Sequence, residues 1–365
     1  MSAPSPFPAA NRPDRRDPHA RPRVAVIVPA FGVAHLVGDA LSSVQSQTFR
    51  NWECVVIDDG APDDVAGAVE PFLVDSRIRM IRTDNHGVSA ARNAAIQSAR
   101  APLVALLDGD DLYYPDYLEQ MTAEIESHAG SALVTCNARL FGAIPEGESF
   151  AQNNGRAGAA TLAAVLDRSF DVYIGSMFRR DDWARVGGFD PTMSHSEDFD
   201  FWVRLMIDHG DARYLDEPLG QYRIRPGSAS WSELKILYGN AHAYRKAMAL
   251  LSDREEGRVA ERMLAQTERQ IARLEAIARV EGGATGPALE ELRSHSSDLR
   301  SPVWQTSFLV WRVLPALAAP MLRWRREAND RHYAKGDVSP QRFAPATFRG
   351  MGPLGHQPQT AGAGA

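Results

Sequence analysis

Residues 102–111 read PLVALLDGDD, an apolar run that stops on three carboxylates within four positions. A short apolar run of this kind reads as a strand buried on both faces. The same design recurs upstream. Arg23–Pro29 (RVAVIVP) leads into Ala30-Phe31, Trp52–Ile57 (WECVVI) ends at Asp58-Asp59-Gly60, and Ile78–Arg82 forms a further strand. Between them lie helical stretches: Val33–Gln47, with a stripe at Leu36, Ala40, Leu41 and Val44, then Ala66–Leu73 and Ser89–Ala99. Four strand–helix alternations predict a parallel sheet with helices on both faces. Ligands of such sheets sit beyond the carboxyl ends of the strands, where the quoted acidic turns lie. No GxGxxG follows the first strand, which weighs against a dinucleotide fold.

After Pro115 the rhythm changes. Helices are expected over Tyr117–Ser127, Thr161–Arg168, Asp182–Val186 (closed by Gly187-Gly188) and Glu197–Ile207. Strands are expected over Ala132–Phe141, Gly175–Arg179 and Arg213–Arg225. This predicts a mixed α+β half laid beside the first. From Ser232 the pattern is helical. Val259, Met263, Thr267, Ile271, Leu274 and Ala278 form a stripe that reads as a helix packed on its own domain; the alternative is a homodimer seam. Residues 303–326 are apolar and carry tryptophans, but Arg312, Pro315 and Pro320 argue against a transmembrane span. The two readings are a helix in a membrane interface, with Arg323, Arg325 and Arg326 beside it, and a helix packed on the protein itself. Residues 1–22 and 336–365 read as disordered tails, and the first lacks the apolar core of a signal peptide.

Composition narrows the function. The 365 residues carry a formal charge of −6, which disfavours general nucleic-acid binding. Two cysteines, Cys54 and Cys136, fit a reducing, cytoplasmic setting without a disulfide framework. Lys235, Lys246 and Lys335 are the only lysines, and there is no P-loop.

The carboxylates carry the chemistry. Asp108, Asp110 and Asp111 crowd one turn and demand a compensating cation. Mg²⁺ or Mn²⁺ bridging one or two of them to a diphosphate is one answer; a capped polar turn is the other. Asp59 reads either as a hydrogen-bond acceptor for a base or ribose or as a strand-ending Asx turn. Glu197-Asp198-Phe199-Asp200 precedes Trp202 and Arg204, so a helix cap and a general base are both open. Arg92, near a helix N-terminus, suits a phosphate, while Arg223 and Arg225 suit either a diphosphate or the acidic turns.

Taken together in order, AVIVPAF (25–31), SSVQSQTFRNWECVVIDDG (42–60), NHGVSAARN (85–93), PLVALLDGDDLYYP (102–115), VGGFD (186–190), SEDFDFWVRL (196–205) and QYRIRPGS (221–228) resemble a bacterial family 2 glycosyltransferase of the inverting type. The resemblance covers residues 23–230 and implies a GT-A fold: an α/β, Rossmann-like mixed sheet flanked by helices. Its donor half would be 23–115 and its acceptor half 116–230. A helical extension (231–300) and an interfacial segment (301–335) would follow.

By position, the resemblance implies that Pro29, Ala30 and Phe31 hold the nucleoside and that Asp59 accepts from the base. Arg92 would serve the donor phosphates. Asp108, Asp110 and Asp111 would form the DxD metal motif with Asp110 as direct ligand. Asp198 would be the catalytic base, supported by Glu197 and by Trp202 on the acceptor side. Three departures are visible: Gly32 stands where Asn is usual, Ala61 replaces the Ser of DDGS, and Arg225 replaces a His that ligates metal in some relatives.

The implied function is transfer of a sugar from a UDP-, GDP- or dTDP-linked donor to a glycan or lipid-linked glycan in envelope or exopolysaccharide synthesis. It would take place in the cytoplasm or at the inner face of the membrane. Two alternatives are a catalytically silent nucleotide-sugar-binding scaffold and a haloacid-dehalogenase-like phosphatase. The second needs a lysine behind the core sheet, and none precedes Lys235.

Overall fold

The computed structural model describes residues 21–143, 149–150, 157–225, 228, 232–284, 286–294 and 302–325. The expected tail at 336–365, and all but two residues of the one at 1–22, lie outside them.

The first half follows the strand–helix alternation. Strands β1 (Val24–Ala30), β2 (Trp52–Asp58), β3 (Ile78–Arg82) and β4 (Leu103–Leu106) are parallel in the order β3-β2-β1-β4. β2 and β4 are buried along their whole length, as continuous apolar runs require. Helices α1 (Val37–Gln45), α2 (Val65–Val69) and α3 (Val88–Ser98) connect them. A 3-10 turn, Glu70–Phe72, continues α2, because Pro71 cannot supply the next helical N–H.

The second half adds to the same sheet rather than lying beside it. Its elements are β5 (Leu112–Tyr113), α4 (Tyr117–Ser127), β6 (Leu133–Gly142), β7 (Gly158–Ala160), α5 (Leu162–Leu166), β8 (Met177–Arg179), α6 (Arg180–Arg185), α7 (Glu197–His209) and β9 (Ala212–Ile224). β8 pairs antiparallel with both β4 and β6, β9 runs parallel to β6, and β5 and β7 pair antiparallel with β9. The short strands β5 and β7 escape sequence reading because neither is long enough to show alternation. The β6–β9 register slips around Asn137, which faces Pro218, a residue with no N–H for the ladder.

Two compact units divide within α9 (Glu255–Glu281), the first ending at Ile271 and the second starting at Ala272. The first also holds α8 (Glu233–Leu250). Along α9 the buried positions are Ala260, Met263, Thr267, Ile271, Ala276 and Val280. Met263, Thr267 and Ile271 of the expected stripe are thus buried within one chain, but Ala278 is exposed. Steps of four overrun the helical turn by about 40° each, so the inward face drifts off that series.

The second unit contains α10 (Gly286–Ser294), α11 (Pro302–Val313) and a helical stretch at 318–325. Phe308, Trp311, Ala318 and Leu322 join Ala276, Val280, Leu289 and Leu292 in its core. Leu309, Val313, Leu314, Leu317 and Trp324 stay exposed. No described helix is long and apolar enough to cross a membrane.

Candidate active site

The site lies at the carboxyl ends of β1, β2 and β4. Pro29 and Ala30 end β1, and Phe31 projects beyond them with about half its surface exposed. The turn after β4 presses against this strand end. A Cβ on Gly109 would lie 2.9 Å from the Pro29 carbonyl oxygen and 3.0 Å from a Val33 methyl, so only glycine leaves room. Gly32 takes φ +68°, a left-handed conformation open to glycine and, less readily, to the usual Asn. Asp63 holds this loop by accepting from the Gly32 and Ala34 N–H groups at 3.1 and 2.6 Å.

Asp58 and Asp59 divide their work. Asp58 accepts from the Ala61 N–H at 2.9 Å and faces Arg82 at 3.4 Å. Asp59, also buried, accepts from the Thr83 hydroxyl (3.1 Å) and from the His86 and Gly87 N–H groups (3.1 and 2.9 Å). Both of its oxygens therefore organise the loop before α3. Any hydrogen bond to a base would share a carboxylate already engaged by its own chain.

Arg92, on the first turns of α3, is 3% exposed and donates at 2.7 Å to Asp108 and at 2.7 Å to Glu197. It thus ties the acidic turn after β4 to the N-terminus of α7, positions far apart in sequence. Burial opposes its charge, but Asp108 and Glu197 outweigh this and hold the guanidinium above its ordinary range. With one hydrogen bond from each terminal nitrogen, Arg92 forms a strut between the two carboxylates. Its Nε alone has no partner.

Asp198 follows Glu197 in the first turn of α7. Its carboxylate accepts from the Phe199 N–H at 2.7 Å. Burial first, and the Glu197 charge second, raise it to about 6, against the pull of Arg92, the Phe199 N–H and Arg168. A carboxylate poised there is ionised at neutral pH yet basic enough to take a proton. Trp202 lies beneath this turn, buried against Phe178 and Phe201, so it supports α7 from the core. The shared face of positions 200 and 204 is realised as an Asp200–Arg204 ion pair at 2.7 Å.

The end of β9 closes the acidic turn. Arg223 donates its backbone N–H to Asp111 (2.7 Å) and its Nε to the Asp110 carbonyl (2.7 Å). Arg225 Nε lies 2.5 Å from Asp110 Oδ2. Burial, then repulsion from Asp108, raises Asp110 despite Arg225, and burial with both neighbours raises Asp111 further. Asp111 Oδ2 has no partner. Among the described residues, no group of three or more His, Cys, Asp or Glu is arranged to hold a metal ion. Asp108 and Asp110 remain partly exposed, and one or two carboxylates completed by substrate phosphates is how Mg²⁺ is commonly held.

Several supporting residues were not singled out from the sequence. Asn93 bonds both the N–H and the carbonyl of Phe189 and accepts from Trp183, which docks VGGFD onto α3. Lys246 joins Asp190 (2.6 Å) to Asp200 (2.8 Å). Gly239 lets α8 approach the turn before α7: a Cβ there would meet the His195 carbonyl. The scarcity of lysine was the available signal for Lys246; Gly239 left none, since a helical glycine reveals no partner.

With this geometry in view, residues 25–181 match the family described as Glycosyl transferase family 2. The Escherichia coli UDP-Glc:alpha-D-GlcNAc-diphosphoundecaprenol beta-1,3-glucosyltransferase WfgD is 26% identical over 223 residues, 59% of this chain and 82% of that protein. Several other curated relatives are matched over only 14–62% of their own length. Staphylococcus aureus TarS 1–349 with UDP-GlcNAc superposes with a TM-score of 0.55 at 16% identity, covering 86% of this chain and 90% of that one. A Pyrobaculum calidifontis mannosyltransferase with GDP-Man and Mn²⁺ gives 0.54 at 18% identity, covering 85% and 89%. The curled mixed sheet, the acidic turn at its centre and the family match agree: residues 25–181 form a family 2 glycosyltransferase domain, and the fold is of the GT-A type.

Proposed function

We propose that the chain moves a glycosyl group from a nucleoside diphosphate sugar to an acceptor hydroxyl in one inverting displacement. The observation that supports this best is Arg92, which joins the acidic turn to the base-bearing turn of α7. The nucleoside would lie over Pro29, Ala30 and Phe31, with Asp59 as its polar neighbour. Asp198 would take the acceptor proton as the hydroxyl attacks the anomeric carbon, with Glu197 and Trp202 holding its turn. Asp110 and Asp108, with Asp111 behind them, would hold Mg²⁺ or Mn²⁺, which when bound supplies positive charge to the leaving diphosphate. Arg225, beside Asp110, would follow the developing phosphate charge.

The donors bound by TarS and the archaeal enzyme, and the lipid-diphosphate acceptor in the name of WfgD, guide the choice of substrates. We assign a UDP-, GDP- or dTDP-linked donor and a glycan or lipid-linked glycan acceptor. The exposed apolar side chains at 309–324, with Arg312 and Arg323 beside them, support peripheral contact with the cytoplasmic membrane face.

A thermal-shift screen of UDP-, GDP- and dTDP-sugars with and without Mn²⁺ identifies the donor by its stabilisation of the folded chain. Nucleoside diphosphate release with added acceptor then tests the reaction. Asp198→Asn should keep the donor-induced shift and lose turnover by about 10²–10⁴-fold. Unchanged turnover in that variant would overturn Asp198 as the base.

A further inference from the structure

Arg168 stands just behind the base-bearing turn. It follows α5 with φ +62°, one of only two non-glycine residues in the left-handed region among those described. The other is Ser196, which immediately precedes α7. A long cationic side chain held in such a conformation is kept there by its surroundings. The Arg168 side chain is 8% exposed and lies 3.6 Å from Asp171, itself 9% exposed. Its guanidinium sits 4.7 Å from the ring of Phe199, the residue after Asp198. Phe199 packs on Tyr244 of α8, and the Tyr244 hydroxyl donates to the Leu166 carbonyl at the end of α5. A closed ring of contacts thus fixes the cation behind Asp198.

The pairing with Asp171 is incomplete. Arg168 Nε has no hydrogen-bond partner and neither does Asp171 Oδ1. Arg92, the other cation near Asp198, is shared by two carboxylates. Lys246 of α8 is taken by Asp190 and Asp200. Glu197 is the adjacent negative charge on α7 itself.

We propose that Arg168 is a positioning residue for the reaction: it acts on Asp198 through space from behind Phe199, and Asp171 limits how much of its charge the base feels. The inference rests on Asp198 being the base. Removing the cation should make Asp198 hold its proton more tightly, and removing Asp171 should do the reverse. A residue that served packing alone would not give opposite signs.

The test needs no substrate. The chain is labelled at aspartate carboxyl carbons with ¹³C, Asp198 is assigned from the Asp198→Asn spectrum, and its resonance is titrated. The midpoint is expected near 6 in the unaltered chain. It should rise by roughly half a pH unit or more in Arg168→Met, about a threefold change in proton affinity, and fall in Asp171→Asn. Arg168→Lys should stay near the unaltered value, and the fall expected in Asp171→Asn keeps the test available if Arg168→Met does not fold. Equal midpoints in the unaltered chain and the Arg168→Met or Asp171→Asn variant, or shifts of the same sign in those two variants, would overturn the proposal. The transfer assay on Asp198→Asn tests the base separately, so the two failures are distinguishable.

Discussion

Arg92 and Glu197 form a buried ion pair at 2.7 Å between α3 and the first turn of α7, and the same guanidinium reaches Asp108 at 2.7 Å. Removing the cation leaves two carboxylates, Glu197 and the partly exposed Asp108, without the partner they share. Arg92→Met should therefore destabilise the chain by about 3–5 kcal/mol, the usual cost of stripping one partner from a buried pair. Glu197→Gln, which keeps a hydrogen-bond acceptor, should cost less. Chemical denaturation of the three proteins measures the order; a neutral Arg92→Met would show that the strut bears no load.

Asp198 makes a prediction in the opposite direction. Its folded carboxyl sits at about 6, above the ordinary 3.8. The folded state then binds the proton more tightly than the unfolded chain, so stability falls as pH rises from near 4 through 6. Asp198→Asn should be more stable than the unaltered chain above pH 6, by about 1–3 kcal/mol, with the difference closing near pH 4. Denaturation midpoints at pH 4 and 7.5 provide the check. Activity should follow the same group, declining as pH falls through 6.

Gly109 fixes the distance between the acidic turn and the end of β1. The Pro29 carbonyl that a Cβ would strike belongs to a strand and cannot swing aside. Gly109→Ala should cost about 1–3 kcal/mol by overpacking. It should also weaken the thermal shift given by the nucleotide sugar. Full donor binding in this variant would mean that the close approach is incidental.

The sequence made the parallel half legible because buried strands such as Trp52–Asp58 are unbroken apolar runs, and the acidic turns stand where the runs stop. It also brought Asp108, Asp110, Asp198 and Arg92 together as one site, through the order of motifs. It did not foretell that Arg92 spends itself on two carboxylates, or that Asp59 is engaged by the 83–87 loop. Those are long-range pairings, and local periodicity carries no information on them. The antiparallel insertion of Met177–Arg179 between β4 and β6 was hidden for the same reason.

Arg225 and a divalent ion would compete for Asp110. The arginine lies 2.5 Å from Asp110 Oδ2 and is about a third exposed, so the pair is partly screened by solvent. Arg225→Ala should tighten Mn²⁺ binding by about two- to fivefold, the scale of a partly exposed ion pair. Arg225→His should tighten it further by adding an imidazole ligand. Isothermal titration with Mn²⁺ alone reads both; equal or weaker binding in Arg225→Ala would mean that the arginine does not oppose the ion.

The second unit divides its apolar residues between two tasks. Phe308, Trp311 and Leu322 are buried in its core, so deleting the whole segment would also remove that core. Leu309, Val313, Leu317 and Trp324 are exposed by 41–77%. Substituting these four with serine tests membrane contact while sparing the packed face. Affinity for vesicles containing anionic lipid, read by sedimentation, should fall by more than about tenfold, since even one large apolar side chain inserted is worth about 1.5–3 kcal/mol. Raising salt should weaken the remaining binding through Arg312 and Arg323. Unaltered sedimentation in the serine variant would overturn the membrane assignment.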